Sequence, residues 1–267
     1  MGRVGLILLP HALWGCCVVR WFLSVLYGVL IGIGSSAAGP CDEAEVSEQG
    51  LPTVLVDDAL ASPLKFAASD GAFYYLSDLT FPEAPHAPGQ ELSGGRQVFV
   101  KALVAQKDRW GRLPAILLDR ELSDLSGKLV EGGLAIVKPQ LRAFNCLKFL
   151  INLESEARRK NVGLWVVKNV INDYKSISYE HIGLYGLVEA SVISVGQTRS
   201  KTYLNFGERW TEDLTGIIQR GKLADFSEFG HDLSVMKGKR VRLRGVLQLN
   251  QGPQIELKHP AQLELLD

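Results

Sequence analysis

The sequence predicts an α+β, mainly β protein made of two small barrels: a β-barrel carrying helices, then a second small β-barrel of the OB type. Three observations carry this. Between Leu51 and Leu118, short apolar runs alternate with turn signals. From Leu122 to Trp165 the apolar residues fall instead at helical spacing. Beyond His181 the short alternating runs resume.

The chain's 267 residues suffice for two ordinary domains, and 46% hydrophobic with 22% charged residues is a globular composition that excludes a disordered binder. The expected order is a leader over 1–38, a first domain over 39–168, a polar connection over 169–180 and a second domain over 181–267. Lys plus Arg number 29 and Asp plus Glu 29. The first forty residues hold Arg3 and Arg20 and no acid, so the remainder is slightly acidic. Such a chain lacks the broad positive field of a sequence-indifferent nucleic-acid binder; any polyanion must meet a local patch.

The opening segment joins Arg3 and Arg20 to an apolar run from Trp21 to Ile33 and then to small residues from Gly34 to Gly39. It reads as a secretory signal peptide cleaved after Ala38, which implies a periplasmic or secreted protein. The alternative is an uncleaved membrane anchor, since Val4–Val19 is also apolar apart from Pro10 and His11. Cleavage removes Cys16 and Cys17 and leaves Cys41 and Cys146, a pair that in an oxidising compartment suggests one disulfide. Two separate thiols, with Cys146 buried on a helix, is the other reading.

Within the first domain, strands are expected at Thr53–Val56, Leu64–Ala67 and Phe73–Leu79, with a turn at Ser69-Asp70-Gly71. Gln97–Leu103 and Pro114–Leu118 form a hairpin around Asp108-Arg109-Trp110-Gly111-Arg112. Leu122, Leu125, Leu129 and Val130 then mark one helix and Cys146–Trp165 a second.

Four of these pieces resemble, in order and spacing, the staphylococcal nuclease-like (thermonuclease) family. Asp108 to Leu113 is similar to its Asp-x-Tyr-Gly-Arg turn, and Leu76 to Glu83 stands where it has Arg-Leu-x-x-Ile-Asp-x-Pro-Glu. Leu129 to Ala135 resembles its helix end and following strand, and Leu153 to Arg158 through Trp165 its final helix. The resemblance implies an OB-type barrel with helices, and a reaction that hydrolyses phosphodiesters with calcium, two aspartates, a glutamate and two arginines. Carried over residue by residue, Glu83 matches the glutamate and Arg112 one arginine, so these two are the candidate catalytic residues. Tyr75 stands in place of the second arginine, Thr80 of one aspartate and Leu64 of the other. A leucine offers a hard cation nothing and threonine only a neutral oxygen, so no metal site is expected; calcium enters only if Asp57 or Asp58 is brought into place by a bulge. An alternative reading has Arg112 simply pairing with Asp108 or Glu131, and Glu83 solvated.

In the second domain, strands are expected at Gly183–Val195, Thr202–Phe206, Leu214–Ile218, Arg240–Leu249 and Gln254–Leu257, with a short helix over Phe226–Leu233 and a turn at Gln251-Gly252-Pro253. Thr202–Gly207, Val241–Gly245 and Gly252–Glu256 resemble a C-terminal extension of exported nuclease-like proteins, to which no chemistry attaches. Alternation places Arg240, Arg242 and Arg244 on one strand face. With Tyr203, Phe206 and Trp210 as stacking surfaces, they are the candidate polyanion-binding set. The competing view is a solvated strand face with the aromatics in the core. Among the histidines no two stand at metal-ligand spacing, and the chain has neither a phosphate-cradling Gly-rich loop nor a nucleophile elbow.

Together these readings describe an exported thermonuclease-like protein with weak or lost hydrolysis that holds a nucleic acid, another polyanion or a partner protein. The alternative is an active metal-dependent nuclease using Glu83 and Arg112.

Overall fold

The computed structural model describes residues 40–41, 47–82, 95–166, 170–171, 173–209 and 211–266. The leader, Glu83 and Trp210 lie outside the described residues. In the first half, β1 (Thr53–Leu55), α1 (Val56–Ala61), β2 (Phe66–Ala67), β3 (Phe73–Leu76) and β4 (Leu79–Thr80) come first. They are followed by β5 (Gln97–Ala102), β6 (Arg112–Leu118), α2 (Ser126–Glu131), β7 (Ile136–Val137) and α3 (Phe144–Lys160). Five strands form a sheet in the order β1-β5-β6-β3-β2, nearly closed as a barrel, and β4 pairs with β7. The β5/β6 hairpin forms as the alternation requires, with Phe99 opposite Leu118. The expected strand over Phe73–Leu79 is two strands, because Asp78 takes a positive φ of 61° and turns the chain between them.

Helix α3 lays Leu147, Leu150 and Cys146 on Val98, Val100, Ala115 and Leu117 of the sheet. Arg158, Arg159 and Lys160 occupy its last turn, where cations suit the dipole, and Asn161 caps it in the left-handed region. The ends of α2 and α3 touch through glycines: a Cβ on Gly133 would stand 2.3 Å from the Val162 carbonyl oxygen, and one on Gly163 would stand 2.4 Å from that of Gly133. The bridge between Cys41 and Cys146 ties residues 105 apart in sequence.

The connection expected over 169–180 contributes one short strand to the second sheet. β8 (Val170–Ile171) runs parallel to β9 (Tyr185–Ser191). The remaining elements are β10 (Ser194–Gln197), β11 (Lys201–Asn205), β12 (Thr215–Gln219), α4 (Leu223–Phe229), β13 (Arg240–Leu249), β14 (Pro253–Glu256) and β15 (Leu263–Leu265). The sheet order is β10-β11-β12-β14-β13-β9-β8, with β12 and β14 parallel. Only Val192 and Ile193 separate β9 from β10, and the backbone N–H groups of the two residues donate in opposite directions, to Lys239 and to Asn205. β9 and β10 are thus one bent strand, and the path closes in the 1-2-3-5-4-1 order of an OB barrel with α4 between the third and fourth strands. Helix α4 starts three residues earlier than expected and stops at Gly230, whose φ of 105° favours glycine.

Residues 38–267 form one compact unit. Leu187 of β9 packs with Ile136, Ala157 and Trp165 from the first half. Among the described residues no helix is long and apolar enough to cross a membrane.

Candidate nucleic-acid cleft

The Asp108–Arg112 turn is built by its own side chains. Asp108 Oδ1 accepts the backbone N–H groups of Trp110 (2.9 Å) and Arg112 (3.0 Å), and Gly111 supplies the positive φ of 76° that the turn needs. Asp108 Oδ2 then takes the Arg112 guanidinium through Nε (3.0 Å) and Nη2 (2.7 Å), while Nη1 donates to the Leu64 carbonyl oxygen. Burial works against the Asp108 carboxylate, yet the hydrogen bonds from Arg112 and Trp110 hold its pKa below the usual range. The face of the same guanidinium lies 4.9 Å from the Tyr75 ring centroid and 4.7 Å from that of Trp110. Parallel pairing of β3 with β6 brings Tyr75 alongside this turn.

These groups line an open cleft of about 610 Å³ together with Leu64, Lys138 and Gln140. Leu64 is 60% exposed and Trp110 59% exposed, so an apolar side chain and an indole face solvent at its rim. Lys138 follows β7 directly, and burial, with the nearby Arg112 cation, lowers its pKa below the ordinary lysine value. The residue pattern did not point to Lys138: a lone lysine between a two-residue strand and a proline gives no sign of what it will face.

Among the described residues, the Asp78 and Asp108 carboxylates near the cleft are already hydrogen-bonded. Asp78 Oδ1 accepts the backbone N–H groups of Gln140, Leu141 and Arg142, and its Oδ2 accepts the Ser77 hydroxyl. Asp57 and Asp58 sit in the first turn of α1 and are not among the residues lining the cleft. Thr80 lies in β4 opposite Ile136. Among the described residues no three His, Cys, Asp or Glu side chains cluster as metal ligands.

The basic strand takes a different role from the one its pattern suggests. Arg240, Arg242 and Arg244 do share a face of β13, but that face meets Glu154, Glu189 and Glu264. Arg244 is 0% exposed; its Nη1 donates to Glu154 Oε2 (3.0 Å) and to the Val137 carbonyl (3.0 Å), and its Nη2 to Glu154 Oε1 (3.1 Å) and to Glu264. Arg242 stands opposite both Glu189 and Glu264 and pairs with each, and Arg240 Nη2 pairs with Glu189 at 2.8 Å. Arg244 is therefore no polyanion contact: a fully buried guanidinium packed against the first half of the protein and neutralised by two glutamates is out of reach of a phosphate in solvent. The missed partner is Glu264, on the short β15, whose Leu263-Glu264-Leu265 alternation is the signal that could have located it.

Tyr203, on β11 opposite Gly196 and Ile217, lines a separate groove of about 660 Å³ that none of the three arginines borders. Phe206 is buried in the core of the second barrel.

No curated protein matches the chain, whereas residues 89–167 match the family model described as staphylococcal nuclease homologue. That span runs from ahead of β5 through the turn after α3 and contains Arg112, Lys138 and the whole of α3, so this part of the chain is similar to the staphylococcal nuclease family.

Proposed function

We propose that the protein is exported and that its nuclease-like cleft binds single-stranded nucleic acid, with phosphodiester hydrolysis weak or lost. The observation that carries this is a cleft lined by Lys138, Tyr75, Trp110 and Arg112, whose Asp108-paired guanidinium lies against both rings. Cations for phosphates beside aromatic faces for bases are what a single strand requires. Tyr75, standing where the family has its second arginine, exchanges a phosphate clamp for a stacking surface. Losing one such clamp from a transition state costs about 3 kcal/mol or more of barrier. The hydrogen-bonded Asp78 and Asp108 carboxylates argue in the same direction, because a calcium-bound water has no evident holder among the described residues. The leader pattern and the Cys41–Cys146 bridge support export.

The test is turnover and binding of single-stranded DNA by the purified protein, with calcium and with chelator, alongside Glu83→Gln and Arg112→Ala. Binding lost in Arg112→Ala with no turnover in any condition is the expected result. Calcium-dependent cleavage abolished by Glu83→Gln overturns the non-hydrolytic reading and returns the protein to the active nucleases.

A further inference from the structure

The cleft does not end at its own domain. Lys138 and Gln140 form one wall of the nuclease-like cleft and also one wall of a second concavity of about 430 Å³, whose far side belongs to the second barrel. That far side presents Lys222, Lys258 and His259 together with Asp225 and Glu256, and Tyr185 of β9 and Phe144 of α3 also line the concavity, Phe144 edge-on to His259 at 5.5 Å. Cationic side chains and aromatic rings thus line both concavities, which share Lys138 and Gln140.

The spacing between the two concavities is fixed. Lys138 follows Val137, whose carbonyl oxygen accepts both the Arg244 guanidinium (3.0 Å) and the Tyr185 hydroxyl (3.1 Å) from the second barrel. The Lys138 ammonium lies 6.0 Å from the centre of the Tyr185 ring, at the crossing between the two sites. A pair of pockets held by buried ionic contacts keeps a constant distance, which suits an extended chain with a regular charge repeat.

The cations on the far side are available for exchange. Lys222 pairs with Asp225 at 3.0 Å and Lys258 with Glu256 at 3.3 Å, with side chains 49% and 73% exposed. Such surface pairs contribute about 0–1 kcal/mol, and because Asp225 and Glu256 line the same concavity, a phosphate reaches the lysines when the two carboxylates swing aside. His259 Nδ1 accepts the Ala261 N–H at 3.1 Å, which leaves the proton of the neutral ring on Nε2 as a donor.

We propose that a single strand seated in the nuclease-like cleft continues over Lys138 into this second subsite, where Lys222 and Lys258 hold backbone phosphates and the Phe144 and His259 rings meet bases. The proposal rests on the reading of the first cleft as a nucleic-acid site.

The experiment measures binding of labelled oligothymidylates of about four and about twelve nucleotides to the native protein, Arg112→Ala and the double variant Lys222→Ala/Lys258→Ala. The native protein is expected to bind the longer strand at least about tenfold more tightly. The double variant keeps the affinity for the short strand and loses that gain, and its salt dependence for the long strand falls by roughly 1.4 in slope, the release from two phosphates. Equal affinity for the two lengths, or a length gain that survives in the double variant, overturns the second subsite while leaving the first intact. Absence of binding to either strand overturns the first reading and this one together. Polyphosphate that displaces the long strand as well as unlabelled oligothymidylate does overturns the base contacts. Both lysines are exposed, and an unchanged unfolding midpoint of the double variant confirms that only binding has been altered.

Discussion

Arg244 and Glu154, 90 residues apart in sequence, form a two-bonded ion pair of 3.0 and 3.1 Å between the second barrel and helix α3, with both side chains at 0% exposure. Burial opposes charge on Arg244, but Glu154 and Glu264 overcome it and raise the guanidinium pKa further. Removing one member leaves the other with one charged partner fewer in a low-dielectric interior, Arg244 keeping Glu264 and Glu154 keeping Arg158. Arg244→Ala or Glu154→Ala is therefore expected to cost about 3–5 kcal/mol of unfolding free energy, against less than about 1 kcal/mol for Arg240→Ala at the exposed end of the same row. Chemical denaturation of the three variants measures the difference.

Glu264 makes this ionic core sensitive to acid. Burial raises its pKa, but Arg244 and Arg242 outweigh that and leave the folded value below the usual one. A carboxyl whose pKa is depressed on folding stabilises the native state above its unfolded pKa of about 4.3 and loses that stabilisation as pH falls toward the folded value. Unfolding free energy is expected to drop below about pH 4.3, and to drop less steeply in Glu264→Gln, when denaturation curves are recorded from neutral to acid pH.

The Cys41–Cys146 bridge closes a loop spanning 105 residues and anchors the start of the described chain to α3. In the chain-entropy account such a loop contributes about 4 kcal/mol. Denaturant titrations with and without reductant should differ by about that amount, and Cys41→Ser/Cys146→Ser should show the reduced value under both conditions.

Lys138 should give nucleic-acid binding an alkaline limit. Burial and then the Arg112 cation depress its pKa, so it loses its proton at lower pH than an ordinary lysine does. Phosphate contact needs the charged form. Affinity for a short oligothymidylate is expected to fall with rising pH before the ordinary lysine pKa of about 10.4 is reached, and Lys138→Met should bind more weakly at neutral pH with a flatter profile.

Gly133 fixes how α2 and α3 meet. Its φ is 64° and an added methyl would stand 2.3 Å from a backbone carbonyl oxygen that cannot swing away. Gly133→Ala should destabilise by about 3 kcal/mol or more, whereas Gly127→Ala, facing side chains at 3.5 Å and beyond within α2, should be neutral or mildly stabilising by thermal melts.

Local patterns made much of the architecture readable. Strand alternation placed the β5/β6 hairpin and β11, β12 and β13 within a few residues, because a half-buried strand writes its period directly into the chain. The turn at Asp108–Arg112 was readable for the same reason: its aspartate, glycine and arginine bond to one another within five residues. The two-residue strands β4 and β7, the short helix α1 and the strand β8 inside the expected connection were not readable. Elements so short carry no period, and their pairing partners lie far along the chain.

The divide runs through β13. The sequence by itself determined that Arg240, Arg242 and Arg244 share one face, since alternation is a property of the strand alone. Only the tertiary structure decided what that face meets. Glu154 on α3, Glu189 on β9 and Glu264 on β15 become its neighbours through packing between elements tens of residues apart, and that packing turns an apparent polyanion surface into a row of ion pairs whose buried end, Arg244 with Glu154, joins the two halves. The same docking set Lys138 beside both clefts, a placement no local spacing encodes.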